Sequence, residues 1–114
     1  MFRCSVAAAL LGTGLAHADV AEIDRGRSLI EKSGCAQCHV IPGVQSLAAP
    51  ARVGPPLTAF GRRLYVAGVL PNTREALARW VYDPPAIDPK TAMPRVGLTE
   101  QESRDVAAYL LTLR

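Results

Sequence analysis

Five consecutive residues carry recognisable chemistry, namely Cys35-Ala36-Gln37-Cys38-His39. The pattern Cys-x-x-Cys-His is the attachment signature of a c-type haem. Two thiols three positions apart can reach the two vinyl groups on one edge of a porphyrin and form thioethers, and the next residue then lies under the iron. Histidine offers a neutral imidazole nitrogen there as proximal ligand. The motif predicts one haem c, attached through Cys35 and Cys38 and ligated by His39.

A Cys-x-x-Cys pair alone has other uses, because it also serves as a redox dithiol, as a disulfide or as half of a zinc site. A zinc site needs a second ligand pair at a similar spacing, but outside the motif the chain offers only Cys4 and His17. A thioredoxin-like dithiol needs a βαβ setting, whereas the residues around the motif have a helical pattern. The histidine directly after the second cysteine favours haem.

The first 18 residues are typical of a secretory signal peptide. Arg3 supplies a positive charge, residues 5–15 are apolar or small, and Ala16-His17-Ala18 fits the small-x-small cleavage rule. Cleavage would leave a single domain of 114 − 18 = 96 residues, 19–114. The alternative is an uncleaved anchor, although the apolar stretch is shorter than the about 18 residues that a membrane span needs. We expect a periplasmic or otherwise exported protein, since bacteria attach c-type haem outside the cytoplasmic membrane.

Composition narrows the class of partner and suggests a bound cofactor. The formal charge of +3 is too small and too interspersed along the chain to indicate a nucleic-acid surface. The chain has only two Phe, three Tyr and one Trp. In a domain of this size a single hydrophobic core stabilises the fold only marginally. A porphyrin would supply a large apolar plate for such a core.

Apolar periodicity predicts an all-α fold, because the strand signal is weak throughout. The clearest helices cover residues 19–34 and the segment after Thr99, which opens with a capping box. Weaker patterns predict a short helix within residues 57–70 and another that begins at an Asn72 cap and runs to about Asp83.

The first and last of these helices are predicted to cross at a glycine. Gly26 lies on the apolar face of the first helix, where a close approach of another backbone would offset its low helix propensity. Tyr109 on the last helix would fill the space that the glycine leaves, and Asp105 is expected to lie away from the apolar stripe. Residues 40–53 and 84–97 contain prolines and no regular period, and they are predicted to be loops.

A lone methionine, Met93, stands in the second of these loops, residues 84–97. Methionine often only fills gaps in a core. Elimination favours a larger role, because signal cleavage removes Met1 and His17 while His39 is already used. Met93 is then the only strong haem ligand left for the distal side of the iron.

Two further features have two interpretations each. Trp80 either packs in the core or lies at the haem edge, where its indole N–H would find a partner. The segment Gly54-Pro55-Pro56-Leu57 is held extended by its prolines, and its free carbonyls could accept from the second ring nitrogen of a ligating histidine. Alternatively, Pro56 is an ordinary helix-starting proline.

Taken together, these residues resemble the class I cytochromes c over essentially all of Asp19 to Arg114. The segment from Gly26 to His39 is similar to the family's first helix and haem motif. Gly54-Pro55-Pro56-Leu57 is similar to the family's Gly-Pro-x-Leu, in which the proline carbonyl accepts from the ligating histidine. The resemblance therefore implies that Pro55 orients His39.

The resemblance extends to the distal side of the haem. Residues 77–84 followed by Thr91-Ala92-Met93-Pro94 are similar to the segment in which a methionine sulfur ligates iron. It places Trp80, Thr91 and Met93 at the cofactor. Other positions where family members contact the haem propionates correspond to Arg62, Arg63 and Tyr65.

The resemblance implies a small all-α fold of three to five helices wrapped around a covalently bound haem, with the terminal helices crossing near Gly26 and Tyr109. An iron ligated by His39 and Met93 has no open position, so we expect a one-electron carrier and not an enzyme. Its partners would be larger redox proteins, membrane-bound ones included, and the chain would be a monomer. The alternative is a haem enzyme, or a sensor of peroxide or small gases, in which the bond to Met93 is labile.

Overall fold

The first helix, α1, spans Val20–Lys32 and begins and ends as the sequence predicts. The computed structural model describes residues 18–45 and 53–114, so the predicted signal peptide, apart from Ala18, and part of the first predicted loop lie outside the described residues. Asp19 caps α1, since its side chain accepts from the amide of Glu22 at 2.7 Å. Gly34 has φ +74°, a left-handed conformation that favours glycine and stops the helix.

The last helix, α4, spans Glu100–Leu110 and confirms the predicted capping box. The hydroxyl of Thr99 accepts from the amide of Glu102 at 3.1 Å, and the Glu102 carboxylate accepts from the amide of Thr99 at 3.0 Å. These reciprocal bonds satisfy two of the amide groups that every helix start leaves without a partner.

Helices α1 and α4 cross at Gly26, which is buried. A Cβ atom at this position would overlap the backbone carbonyl of Asp105 and would lie 3.1 Å from the Cβ of Tyr109. The predicted close approach of a backbone therefore comes from Asp105, and Tyr109 packs beside it. Only glycine allows the two helices to come this close.

Asp105 is not turned away from the apolar stripe, so this part of the prediction was wrong. The residue is only 3% exposed. One carboxylate oxygen accepts from the Nε of Arg25 at 3.1 Å and the other from the side-chain amide of Gln101 at 3.2 Å. Its carboxylate raises the pKa of the Arg25 guanidinium, chiefly through this hydrogen bond. The close crossing buries Asp105, Arg25 compensates its charge, and Gln101 satisfies its second oxygen.

The second helix, α2, spans Arg74–Tyr82 and ends close to the predicted Asp83. Its cap is Thr73, whose hydroxyl accepts from the amide of Ala76 at 3.1 Å, and not Asn72. The side-chain amide of Asn72 is instead used by the preceding segment, where it donates to the carbonyls of Phe60 and Arg63 at 3.0 Å each. The predicted cap was therefore one residue early.

A four-residue helix, α3, spans Pro84–Ile87 at the start of the segment predicted to be a loop. Asp83 caps it by accepting from the amide of Ala86 at 3.3 Å. Proline at a first helical position loses no hydrogen bond, because that amide has no partner within the helix. Pro84 therefore ends α2 and begins α3.

The predicted helix within residues 57–70 is absent, and this prediction was wrong. A 3-10 turn, Phe60–Arg62, is followed by strands β1, Tyr65–Val66, and β2, Leu70–Pro71. The strands pair antiparallel, with Val66 opposite Leu70. Ala59 and Ala67 have φ +55° and +50°, which a right-handed helix cannot contain. Leu64 is 79% exposed and so belongs to no apolar helix face.

The core lies between α4 and the two helices that pack against it, α1 and α2. Its most deeply buried side chains include Ile30, Leu77, Val66 and Val106. The described residues thus form four α-helices and one short hairpin, which confirms the predicted mostly helical fold. None of the helices in these ranges combines the length and hydropathy that a bilayer-spanning helix requires.

We predict that Gly26→Ala destabilises the protein, although alanine favours helices by up to about 1 kcal/mol over glycine. The added methyl group would overlap the Asp105 backbone and force α1 and α4 apart, at a cost of about 1–3 kcal/mol. Denaturant unfolding of the variant, with the exposed Ser28→Ala as control on the same helix, measures the loss. Equal or higher stability of the Gly26 variant would contradict the close crossing.

Candidate functional site

The Cys-x-x-Cys-His motif forms one tight turn directly after α1. Residues Cys35–Gln37 are a 3-10 turn. The carbonyl of Cys35 accepts from the amides of both Cys38 and His39, at 3.2 and 3.0 Å. Because one carbonyl receives both amides, the two thiols and the imidazole belong to a single compact unit whose position is set by the end of α1.

Both cysteines of the motif are free thiols and are half-buried. Burial raises the pKa of the Cys35 thiol. Redox-active dithiols need the opposite, a lowered pKa that makes the thiolate available at neutral pH. The setting also contains no βαβ unit within the described residues. The structure therefore disfavours the dithiol interpretation of the motif.

The imidazole of His39 is oriented by the proline segment. Its Nδ1 lies 2.7 Å from the carbonyl oxygen of Pro55. A carbonyl can only accept, so Nδ1 must carry the proton and donate. In the neutral imidazole this tautomer leaves the lone pair on Nε2, which is the form in which histidine binds a metal.

The His39 ring lies against a residue without a side chain. A Cβ on Gly54 would lie 2.6 Å from Nδ1 and 2.7 Å from Nε2 of His39. Two backbone bonds hold this segment along the motif, from the amide of Gly54 to the carbonyl of Cys38 at 3.0 Å and from the amide of Leu57 to the carbonyl of Val40 at 2.8 Å. A cleft of about 520 Å³ opens between Cys38 and the segment from Val53 to Pro56.

The predicted distal residues lie at the hydrophobic core. Met93 is half-buried and packs against the core cluster that contains Trp80. Cys35 packs against the same cluster. The amide of Met93 donates to the hydroxyl of Thr91 at 3.1 Å. Trp80 is 7% exposed, and its indole N–H donates to no other described residue. The structure thus brings Cys35, Trp80 and Met93 to one cluster.

Two hydrogen bonds that support the site were not predicted from the sequence. The hydroxyl of Tyr109 donates to the carbonyl of Pro42 at 2.7 Å, and Arg27 donates to the carbonyl of Gly43 at 2.9 Å. Both bonds hold the turn that follows His39. Their partners are 67 and 16 positions apart in the chain, so no local spacing rule could have found them.

Of the three residues at predicted propionate positions, only Arg63 contacts the segment beside His39. Arg63 donates to the carbonyl of Pro56, and its guanidinium lies 5.1 Å from the centre of the Phe60 ring. Arg62 and Tyr65 are exposed. Arg63 therefore supports Pro56, and the carbonyl of the preceding residue, Pro55, faces His39.

The residues at this site fit a c-type haem in the chemistry of their donors. Two free thiols, an imidazole with a fixed tautomer and a half-buried thioether are the groups that attach and ligate such a haem. Among the described residues, no group of three or more His, Cys, Asp or Glu side chains comes together as a separate metal site. The missing side chain at Gly54 leaves the space that the His39 imidazole occupies.

Comparison with known proteins gives a consistent result. The family model described as "Cytochrome c" matches residues 23–114. The chain is 33% identical over 92 residues to cytochrome c oxidase subunit 2 of Alkalihalophilus pseudofirmus, with 80% of this chain and 25% of that protein covered. It is 32% identical over 101 residues to cytochrome c oxidase subunit 2 of Bacillus subtilis, with 87% and 28% covered. The chain thus spans about a quarter of the length of the curated relatives it matches.

We predict that Gly54→Ala displaces the His39 ring and weakens its bond to the Pro55 carbonyl, because the new methyl group would occupy the space of the imidazole. We expect a loss of about 1–3 kcal/mol in the free energy of unfolding. An NMR shift of the His39 ring N–H toward solvent-exposed values would accompany it. Thr58→Ala, at an exposed position of the same segment, is the control, and identical ring signals in both variants would contradict the prediction.

Proposed function

We propose that this chain, which belongs to the cytochrome c family, carries single electrons between larger redox proteins through one covalently attached haem. Membership of the family implies haem c as the cofactor. The observation that carries the proposal is the Cys-x-x-Cys-His turn, in which the Pro55 carbonyl fixes the tautomer of His39 at 2.7 Å. Cys35 and Cys38 are the proposed attachment points.

The proposed ligands, His39 and Met93, explain why the chain would carry electrons and not transform a substrate. When bound, the haem supplies an iron that changes its oxidation state by one electron. His39 presents Nε2 on one side, and Met93 would present its sulfur on the other. If both residues bind the iron, no coordination position would remain for a substrate, and methionine ligation would raise the reduction potential.

The relatives support a redox partner that belongs to a larger enzyme. The proteins that this chain resembles are named as subunits of cytochrome c oxidase. Since the chain spans about a quarter of their length, it corresponds to one part of such a subunit. We propose that it exchanges electrons with a redox enzyme of comparable kind, either as donor or as acceptor.

A second candidate function is favoured by the setting of Met93. Its side chain is only half-buried, and its amide bonds to the nearby Thr91 hydroxyl and not to a helix or strand. A methionine held this way could leave the iron and open a position for peroxide or a small gas. The chain would then be a haem enzyme or a sensor.

Replacement of Met93 tests its ligation, and the spectrum of the wild type separates the two candidates. We predict that Met93→Ala keeps the covalent haem, converts the ferric iron to high spin and lowers the reduction potential, because the thioether ligand is lost. Met93→Leu should behave in the same way, since leucine has a similar size and no sulfur. Absorption spectra and a redox titration measure both effects.

Val96→Ala, at an exposed position three residues further along, is the control for this experiment. In the wild type, a low-spin ferric spectrum with the iron–sulfur charge-transfer band supports the carrier. A high-spin wild-type spectrum would favour the enzyme or sensor. Identical spectra and potentials in the wild type and Met93→Ala would remove Met93 from the ligand set.

We further propose that the protein is exported and begins at Asp19 after cleavage of residues 1–18. The support is the charged, apolar and small-residue pattern of the N-terminal sequence. Expressed in a bacterium that matures c-type cytochromes, the purified protein should have the mass of residues 19–114 plus one haem. Intact-mass spectrometry checks both points, and a chain that retains Met1 would overturn the cleavage.

A further inference from the structure

The segment that carries Met93 is poorly tethered through its backbone. It is called the Met93 loop here and comprises residues 88–98. Within the part of the chain that the structure describes, no backbone–backbone hydrogen bond reaches residues 92–98. The amide of Met93 donates only to the hydroxyl of Thr91, which belongs to the same loop. Side chains must therefore hold this half of the loop against the rest of the protein.

Leu98, at the end of the loop, is buried in the core, and Arg95 makes the polar connection nearest to Met93. Its guanidinium carbon lies 4.7 Å from the centre of the Tyr82 ring, a cation–π distance. One terminal nitrogen donates to the Tyr82 hydroxyl at 2.9 Å. The other terminal nitrogen lies 3.9 Å from a carboxylate oxygen of Asp83. Three different contacts thus bind Arg95 to the end of α2.

The same end of α2 also begins the segment that leads into the loop. One carboxylate oxygen of Asp83 caps α3 by accepting from the amide of Ala86 at 3.3 Å. The other oxygen faces Arg95. Both ends of the segment from Pro84 to Arg95, which contains Met93, therefore meet at Tyr82 and Asp83. This arrangement closes the stretch at its base and reduces the number of conformations open to it.

The link from Arg95 to Met93 is short and stiff. Only Pro94 separates them, and the proline ring fixes its own φ angle. A shift of Arg95 therefore moves the backbone of Met93 and is not absorbed by a flexible residue. We propose that Arg95 is a positioning residue that holds Met93 at the iron, an inference that rests on the proposed ligation by Met93.

The clamp formed by Arg95, Tyr82 and Asp83 acts on the loop and not on the whole fold. The Arg95 side chain is 51% exposed, and its distance to Asp83 is long, so the ion pair contributes little. The aromatic contact and the hydroxyl bond contribute more. Loss of the clamp should therefore increase the fraction of molecules with Met93 released while leaving the helical fold intact.

Imidazole titration of the ferric holoprotein measures this fraction, because imidazole binds iron only where Met93 has left. A larger released fraction raises the apparent affinity in proportion. We expect Arg95→Ala to raise the apparent imidazole affinity about tenfold, the sum of one aromatic and one hydrogen-bonding contact. Tyr82→Phe keeps the ring and removes the hydroxyl, so it should give a smaller increase. Arg95→Lys should fall between wild type and alanine.

Arg104→Ala is the matched control, since this exposed arginine of α4 has no ion pair with another described residue. It should bind imidazole as the wild type does, and far-UV circular dichroism should show the same helix content for all variants. Wild-type imidazole affinity in Arg95→Ala would overturn the clamp alone. An equal rise in Arg104→Ala would also overturn it, because the cause would then be net charge.

Failure of the proposed ligation gives a different result. If the wild type lacks the iron–sulfur charge-transfer band, or if Met93→Ala binds imidazole as the wild type does, Met93 is not the ligand and the clamp falls with it. If Met93→Ala gains imidazole affinity while Arg95→Ala does not, the ligation stands and only the clamp is wrong.

Discussion

The crossing of α1 and α4 at Gly26 positions everything else in this protein. It is a contact between backbones, with the Asp105 carbonyl in the space where a side chain would begin. From this point α1 runs directly into the Cys-x-x-Cys-His turn. From the same point α4 carries Tyr109, whose hydroxyl holds the Pro42 carbonyl at 2.7 Å just beyond that turn. Both sides of the motif are therefore fixed by a single helix contact.

Asp105 fixes the register of α1 along α4 as well as the distance between the two helices. Its carbonyl lies against position 26, and its carboxylate accepts from the side chain at position 25. A slip of α1 along α4 would separate both contacts at once and leave a buried carboxylate without its cation, which is costly. Arg25 is largely exposed, so the pair contributes little to stability by itself. Its main effect is to penalise the wrong alignment of the helices.

Sequence patterns predicted those parts of the fold that depend on local chemistry. Caps and apolar spacing were sufficient for α1 and α4, and a glycine without a side chain indicated their crossing. The patterns were wrong at residues 57–70, where apolar residues suggested a helix but positive φ angles at Ala59 and Ala67 impose turns. They were also wrong for Asn72 and Asp105, whose side chains have partners in distant segments. Such partners depend on tertiary packing, which single-residue propensities do not include.

The two proposed iron ligands, His39 and Met93, are held by different kinds of contact. His39 belongs to a turn closed by backbone hydrogen bonds, and its ring is fixed by the Pro55 carbonyl and by Gly54. Met93 belongs to a loop held by side chains, among them Arg95 and the buried Leu98. Releasing His39 would require the opening of several backbone bonds, whereas releasing Met93 requires only the loss of side-chain contacts. Any exchange of ligands in this protein should therefore begin on the methionine side.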